Sequence, residues 1–187
     1  MRSLVLPALV LAIVTALAQA RQAPTPSPIK NGVVVRAKYL SLTVGASVTT
    51  VSPGTRLTLL VHVTPNPKMH VYAPGQDGYL PVDLSVAPNS AFSAKPPVYP
   101  PPQPFTFGPT QETVKVYAEP FLVRLDVAIA SSPAMKQRAA KGDTVNADGT
   151  FKYQACDDAV CYRPETVPLT WMLHLTPATQ KSEVRSQ

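Results

Sequence analysis

The sequence of 187 residues contains only two cysteines, and it lacks the features of several common function classes. Beyond the first 20 residues, no stretch approaches the roughly 20 consecutive apolar residues that a membrane-spanning helix needs. Lys and Arg outnumber Asp and Glu by 17 to 11, but they form no basic run and no aromatic residues interleave with them. A nucleic-acid platform is therefore disfavoured, and a mildly basic, solvated surface is favoured. The sequence has no internal repeat.

The N-terminus has the pattern of an export signal. Arg2 precedes an apolar run from Leu4 to Leu17, and the small-x-small sequence Ala18-Gln19-Ala20 follows. The run is short for a membrane span. A lipid anchor is also disfavoured, because no cysteine lies near the cleavage site. We therefore expect residues 1–20 to be a signal peptide that is removed on export to the periplasm. Retention as an N-terminal anchor is the alternative.

The rest of the chain suits a single domain with one core. Residues 21–29 contain the Pro-rich segment Ala23–Pro28, and we expect them to form a flexible lead-in. Residues 30–176 are the predicted domain, and the polar residues 177–187 are predicted to be a disordered tail. The 22 prolines disfavour long helices. Their densest stretch, Pro96–Pro104, is expected to be an extended, polyproline-like connector.

Alternation of apolar and polar residues predicts a fold made of strands. Nine alternating segments are separated by turn signals such as Ser52-Pro53-Gly54 and Asp148-Gly149. They indicate an all-β fold, an immunoglobulin-like antiparallel β-sandwich of about nine strands. The nine segments are Val33–Tyr39, Leu42–Val51, Arg56–Thr64, Met69–Ala73, Val82–Ala87, Thr113–Ala118, Phe121–Ala130, Thr150–Ala155 and Thr166–Leu175. Only Pro133–Lys141 has the character of a helical turn or two.

The two cysteines, Cys156 and Cys161, are expected to pair, because an exported protein folds in an oxidising compartment. A tight turn through Asp157-Asp158 would place them at facing hairpin positions, where their Cα atoms reach the separation of about 5.5 Å that a disulfide needs. A bridge over about six residues stabilises by roughly 2 kcal/mol, against almost 5 kcal/mol for a loop of about 100 residues. As a structural staple it would be weak.

Strand phase predicts that the bridge is accessible. Phe151, Tyr153 and Ala155 occupy the apolar positions of their strand, and we expect them to face the core. Gln154 and Cys156, at the alternate positions, would then face outward. An outward local disulfide can exchange, whereas a core staple cannot, so a redox function is favoured over a purely structural bridge.

Metal sites are disfavoured. A zinc site needs about four ligands, and His62, His70 and His174 do not lie at ligand spacing from the cysteines. A cupredoxin-like copper site needs a histidine and an axial ligand soon after its cysteine, and Met172 and His174 come too late in the chain. We therefore expect no metal and no cofactor. Each histidine is interpreted as a surface residue or a satisfied strand residue.

The segment Tyr153–Thr166 (YQACDDAVCYRPET) resembles the active-site signature of the N-terminal domain of the thiol:disulfide interchange protein DsbD. That family has Tyr-Gln, then Gly or Ala, before the first cysteine, and Pro-Glu-Thr shortly after the second. Lys68–Tyr72 resembles the strand of the family that ends in a tyrosine, and Val114–Tyr117 resembles a further strand. The resemblance covers about residues 30–176.

The resemblance implies an immunoglobulin-like domain with a redox-active disulfide. Such domains receive electrons from a thioredoxin-like donor and pass them to periplasmic clients, including proteins of cytochrome c biogenesis. Cys161 corresponds to the cysteine that forms the mixed disulfide with the client, and Cys156 to its resolving partner. The implied activity is that of a protein-disulfide reductase, and we expect a monomer. The full-length family protein continues into membrane and thioredoxin-like domains, so this chain would need a separate reductant.

Aromatic residues are predicted to support the cysteine pair. Tyr72 corresponds to the strand tyrosine of the family, and strand phase turns it outward. Phe105 and Phe107 match the aromatic part of the family's cap loop, which we place at Pro104–Gly108; the acidic residues of that loop are absent here. With Tyr162, these side chains would form an apolar surround that excludes small oxidants, or they would simply pack the loops.

Asp157 and Asp158 admit two interpretations. Their charge would disfavour a thiolate, with Lys152 and Arg163 opposing that effect. Alternatively, they are ordinary turn residues.

The function itself has an alternative in a different class. The chain would then be a non-catalytic, exported immunoglobulin-like binding or assembly module, with the disulfide as a minor local brace. Replacing both cysteines by serine would distinguish the two alternatives. If the disulfide is a brace, the replacement lowers the free energy of unfolding by roughly 2 kcal/mol or less and binding is retained. If the cysteines are a redox pair, the replacement abolishes all exchange.

Overall fold

The structure, a computed structural model, describes residue 29 and residues 31–108 and 110–178. The predicted signal peptide, most of the predicted lead-in and all but the first two residues of the predicted tail lie outside the described residues. Thirteen strands and one helix form within them. In chain order these are β1 (Val33–Arg36), β2 (Leu40–Ala46), β3 (Thr50–Val51), β4 (Arg56–Pro65), β5 (His70–Tyr72), β6 (Asp83–Val86), β7 (Phe92–Ala94), β8 (Gln103–Phe107), β9 (Glu112–Tyr117), β10 (Phe121–Ile129), α1 (Pro133–Ala140), β11 (Thr144–Tyr153), β12 (Ala155–Cys156) and β13 (Glu165–Leu175).

Two sheets pack face to face around the main core. The first has five antiparallel strands in the order β1-β2-β4-β10-β7, and the second has the order β3-β13-β11-β6, with β3 parallel to β13. Alternate residues of β4, β10, β11 and β13 are buried between the sheets, as period-2 strands with one buried face require. Trp171 of β13 also spans the two layers, since its Nε1–H donates to the Leu60 carbonyl at 3.4 Å. The predicted all-β, immunoglobulin-like sandwich is confirmed.

A third sheet, in the order β12-β5-β9-β8, is built from chain segments that leave the two main sheets. β12 follows β11 after the single residue Gln154, β5 follows β4 after a short turn, and β9 precedes β10. The cysteine hairpin therefore belongs to a small sheet of its own rather than to either layer of the sandwich. This sheet has its own small set of buried side chains.

The predicted helical segment is confirmed as α1. The side chain of Ser132 accepts a hydrogen bond from the Met135 N–H at 3.2 Å, and Pro133 occupies the first turn, where its missing N–H costs nothing. Met135 and Ala139 face the main core. None of the helices in the described ranges is long and apolar enough to cross a membrane.

The strand count exceeds the expected nine by four, because the expected segments Leu42–Val51 and Thr150–Ala155 each contain residues of two strands, and because two strands lie outside every expected segment. These two strands are β7 and β8. Two expectations are wrong at β8. This strand contains the end of the predicted Pro96–Pro104 connector and most of the predicted Pro104–Gly108 loop, and it pairs with β9.

The predicted turn at Asp148-Gly149 is wrong, because both residues lie inside β11. A Cβ on Gly149 would collide with the Ser85 carbonyl and approach Cζ3 of Trp171 to 3.2 Å. The glycine thus marks a close approach of two strands under an aromatic ring rather than a turn.

Candidate functional site

Cys156 and Cys161 form a disulfide across a tight hairpin. Their Cα atoms are 4.0 Å apart, and the two residues face each other as an antiparallel bridge. The flanking backbone bonds run from Asp157 N–H to the Val160 carbonyl at 3.0 Å and from Tyr162 N–H to the Ala155 carbonyl at 2.9 Å. This pattern makes the cysteines a non-hydrogen-bonded pair, in which side chains lie closest together. The expected facing hairpin geometry is therefore present.

The two cysteines have very different environments. Cys161 is exposed, whereas Cys156 is only 1% exposed. The prediction that Cys156 faces outward is wrong, although Phe151, Tyr153 and Ala155 do face the main core as expected. At Gln154 the chain passes from β11 into β12 of the third sheet, so the outward side of the hairpin is covered by that sheet's own side chains. The disulfide therefore joins an exposed residue to a buried one.

Cys156 belongs to a second cluster of side chains, which buries it. The cluster is made of buried side chains from the third sheet, with two half-buried aromatic rings packed against it. Its buried members are Tyr72, Val114, Val116 and Cys156, and the two packed rings are Tyr79 and Phe105. Phe105 on the edge strand β8 thus contributes to the shielding of the buried sulfur. Phe107, two residues further along β8, is half-buried and is not one of the side chains that pack on the second cluster.

Tyr72 contacts the sulfur of Cys161 directly. Its hydroxyl lies 3.3 Å from Sγ of Cys161. Its ring is 6% exposed and packs against Tyr79 with 4.4 Å between centroids. Burial, with the nearby Glu112 carboxylate, raises the pKa of Tyr72, and a hydrogen bond to Glu112 is the main cause that raises the pKa of Tyr79 to about 12. Tyr72 turns away from the main core as predicted, but it is buried rather than outward, so it stays protonated and can donate its O–H to sulfur.

Asp157 shapes the hairpin turn. Oδ1 accepts from the N–H groups of Ala159 and Val160, each at 2.8 Å, and Oδ2 accepts from the Tyr162 hydroxyl at 2.8 Å. These bonds lower the pKa of Asp157, with the Val160 N–H as the largest cause. The turn interpretation therefore fits Asp157, since its side chain replaces the backbone carbonyl that a regular β-turn would use.

Asp158 and Tyr162 occupy different surroundings. Asp158 is exposed and lines a shallow groove together with Lys68, Met69 and Asp157. Tyr162 points away from the second cluster and stacks on Tyr39 at a centroid distance of 4.4 Å. Tyr162 therefore braces the return strand of the hairpin rather than covering the sulfurs.

The flanking cations do not pair with the turn aspartates. Lys152 and Arg163 are exposed, and within the described residues neither forms an ion pair with Asp157 or Asp158. They can act on the cysteines only through the electrostatic field at the protein surface, which dissolved salt screens.

His70 lies at the site, on the strand face that it shares with Tyr72, and it is buried rather than at the surface. It is the residue directly opposite Cys156 in the β5–β12 ladder, and it is 4% exposed. Its ring packs against Phe105 with 4.2 Å between centroids. Burial lowers its pKa, and the carboxylates of Asp158 and Asp157 oppose that shift.

The other two histidines lie elsewhere in the sandwich. His174 is exposed on β13, as a surface histidine is expected to be. His62 is half-buried on β4, and its buried Nε2 has no hydrogen-bond partner among the residues that the structure describes. The expectation of a surface or satisfied residue is therefore wrong for His62.

Together, the fold and the site define an immunoglobulin-like β-sandwich domain with a local disulfide between a buried and an exposed cysteine. The chain matches the family model for the N-terminal region of the thiol:disulfide interchange protein DsbD over residues 40–170, and it belongs to that family. A comparison with curated proteins finds no match.

Two solved structures are similar to this chain. The N-terminal periplasmic domain of ScsB from Proteus mirabilis has a TM-score of 0.50 and 14% identity, over 79% of this chain and 52% of that chain. This chain therefore spans about half the length of the ScsB chain. The reduced DsbD N-terminal domain of Neisseria meningitidis has a TM-score of 0.44 and 14% identity, over 72% of this chain and 90% of that chain. At this identity the likeness to ScsB concerns the fold.

Sequence reasoning missed three residues at the site. His70 carries a detectable signal, because it precedes Tyr72 by two positions on a strand and must share its face. Tyr79 and Tyr39 carry none: Tyr79 lies between strands, Tyr39 lies just before β2, and only tertiary packing brings them to Tyr72 and Tyr162.

Proposed function

We propose that this protein is a periplasmic thiol–disulfide exchange domain that passes electrons from a thioredoxin-like donor to client disulfides through Cys156 and Cys161. The observation that carries the proposal is the one-sided exposure of the disulfide. Exchange requires in-line attack of a thiolate on one sulfur and departure of the other. An exposed Cys161 suits the attacked and attacking position, and a buried Cys156 suits the resolving position.

In the reduced protein, the Cys161 thiolate attacks a client disulfide and forms a mixed disulfide, and one client sulfur leaves as a thiolate. Cys156 then attacks Sγ of Cys161, and the second client sulfur leaves. The two electrons of the dithiol end on the client, and the domain regains its disulfide. The donor reverses these steps with its own dithiol. The O–H of Tyr72, 3.3 Å from Sγ of Cys161, would stabilise the thiolate at that position.

The setting of the reaction is part of the proposal. The signal-like N-terminus supports export to the periplasm, and family membership supports thioredoxin-like proteins as donor and client. Clients of cytochrome c biogenesis are one class that such a domain would serve. Tyr72 and Phe105 would limit access of small oxidants to the buried sulfur, and Phe107 lies two residues further along β8.

The experiment compares two serine variants against one thioredoxin-like protein whose own resolving cysteine is removed and whose remaining cysteine is held as a mixed disulfide with thionitrobenzoate, which leaves as a thiolate when a variant's thiol attacks. Cys156→Ser leaves the exposed Cys161 as the only thiol, and a stable mixed disulfide is expected. Cys161→Ser leaves the buried Cys156, and little or no adduct is expected. The reduction potential of the unaltered protein is expected between about −120 and −270 mV, the range of exchange-active pairs.

Equal trapping by both variants, or no trapping by either, would count against the proposal. A potential well below about −300 mV would mark the bridge as structural. The non-catalytic binding module would then be the better description, with the cysteines as a local brace.

A further inference from the structure

To resolve the mixed disulfide, Cys156 must lose its thiol proton while it is buried, whereas Cys161 loses its proton at an exposed position. The nucleophile in exchange is the thiolate, yet Cys156 is 1% exposed and surrounded by Tyr72, Val114 and Val116. Burial among apolar groups disfavours the charged form of a thiol. The exposed Cys161 can lose its proton to water, whereas Cys156 needs an acceptor inside the protein.

His70 occupies the position from which such an acceptor would act. It is the Cα partner of Cys156 across the β5–β12 ladder, and facing residues of an antiparallel pair have their Cβ atoms about 4.5–5.5 Å apart on the same face of the sheet. Phe105 packs against the imidazole at 4.2 Å and also packs on the second cluster, to which Cys156 belongs. Tyr72, two residues on, turns its hydroxyl to Cys161 instead.

The charges around His70 come from several elements. Asp157 and Asp158 follow β12 and favour the imidazolium, while burial favours the neutral ring. Lys68, in the turn before β5, lines the same groove as the two aspartates. On β9, Glu112 acts on Tyr72 and Tyr79 rather than on His70. The balance lowers the pKa of His70, so the ring is neutral and able to accept a proton at pH 7.

We propose that His70 is the proton acceptor for the Cys156 thiol during resolution of the mixed disulfide. This inference rests on the proposed exchange function and assigns the step that the buried cysteine requires. The thiol proton passes to the imidazole, and the resulting thiolate attacks Sγ of Cys161. The client sulfur leaves as a thiolate, and the imidazolium returns its proton to that sulfur or to water. In the reverse direction, the imidazolium protonates Cys156 as the donor expels it. The two aspartates stabilise the imidazolium in both directions.

The test isolates resolution with a small aromatic disulfide, dithiobis(nitrobenzoate), and the reduced full chain. Attack by Cys161 releases one coloured thiolate in a phase whose rate depends on reagent concentration. Attack by Cys156 on the mixed disulfide releases a second in an intramolecular phase that is independent of reagent concentration. Both are followed by stopped-flow absorbance from about pH 6 to about pH 9, a range that spans the ordinary pKa values of histidine and cysteine.

We expect His70→Gln to slow the second phase by about tenfold or more at pH 7, as loss of a general base does, with little change in the first phase. The difference between the variant and the unaltered protein should narrow towards about pH 9, because hydroxide increasingly replaces the imidazole as the proton acceptor. His70→Phe keeps a ring against Phe105 and should behave in the same way. His174→Gln, at an exposed position of β13, is the matched control and should match the unaltered protein in both phases.

Two outcomes would overturn the role of His70: a second phase unchanged within about twofold in both variants, or a slowing by the same factor at every pH. The latter would show that His70 merely supports packing. Because no partner protein takes part, this test can fail while exchange with a thioredoxin-like protein is observed, and it can succeed when that exchange is absent.

Discussion

The unequal burial of the two sulfurs predicts that serine substitution of the two cysteines has unequal effects on stability. The bridge joins residues five apart, and a loop of about six residues contributes about 2 kcal/mol to the free energy of unfolding. Either Cys156→Ser or Cys161→Ser loses this contribution. In Cys161→Ser the new hydroxyl would be hydrated at an exposed position, so the loss for this variant should stay near about 2 kcal/mol.

Cys156→Ser carries a further penalty. It places a hydroxyl in the second cluster, beside Tyr72, Val114 and Val116. A buried hydroxyl without a partner costs about 1–3 kcal/mol. The expected loss is therefore about 3–5 kcal/mol in total.

Urea unfolding monitored by circular dichroism and by the fluorescence of Trp171 measures both losses. The same series with dithiothreitol provides the control, because the reductant removes the bridge from every variant. Cys161→Ser should then match the unaltered protein, while Cys156→Ser stays about 1–3 kcal/mol less stable. Equal losses in the two variants, or a larger loss for Cys161→Ser, would refute the one-sided burial on which the proposed roles rest.

Three further predictions concern the surroundings of the disulfide. Tyr72→Phe removes the hydroxyl that lies 3.3 Å from Sγ of Cys161. Alkylation of Cys161 in the reduced protein should then slow by about fivefold at neutral pH, which corresponds to the loss of one hydrogen bond of about 1 kcal/mol. An unchanged rate would mean that the contact does not stabilise the thiolate. Phe105→Ala uncovers the second cluster and should speed reduction of the disulfide by glutathione several-fold. Phe107→Ala is the matched control on the same strand and should have little effect. Equal effects of the two substitutions would show that Phe105 has no special shielding role. Asp157→Ala should reduce the hydrogen-exchange protection of the Ala159 and Val160 amides, and Asp158→Ala should not. Because the pKa of Asp157 is lowered in the folded protein, its contribution is present above the unfolded value of about 3.9 and is lost as the pH falls through the folded pKa, so the protection should decline only in strong acid; a decline near neutral pH would contradict this.

The fold class could be read from the sequence because the long strands bury one face each. β4, β10 and β13 alternate apolar and polar residues over nine or more positions, and no other regular structure satisfies that period. The strands β7 and β12 have too few residues for a period to appear, and at β8 the prolines predicted a connector instead. Their pairing partners, rather than their own residues, make them strands.

Gly149 shows why a local signal can mislead. Asp-Gly is a strong turn sequence, yet here it lies within β11 because β6 and Trp171 approach the backbone too closely for a side chain. Turn propensity is local, whereas close packing of a strand against its neighbours depends on the whole sheet.

The sequence by itself determined the pairing of the cysteines, the turn between them and the family to which the chain belongs. These depend on residues within one short stretch, where spacing and chemistry are visible directly. Only the tertiary structure decided which sulfur is buried, which aromatic rings cover it and that His70 faces Cys156. The reason is that a strand's alternation fixes which side chains share a face but not what covers that face. At Gln154 the chain leaves one sheet for another, and β5, β8 and β9, which cover Cys156, come from positions about 40 to 85 residues earlier in the chain.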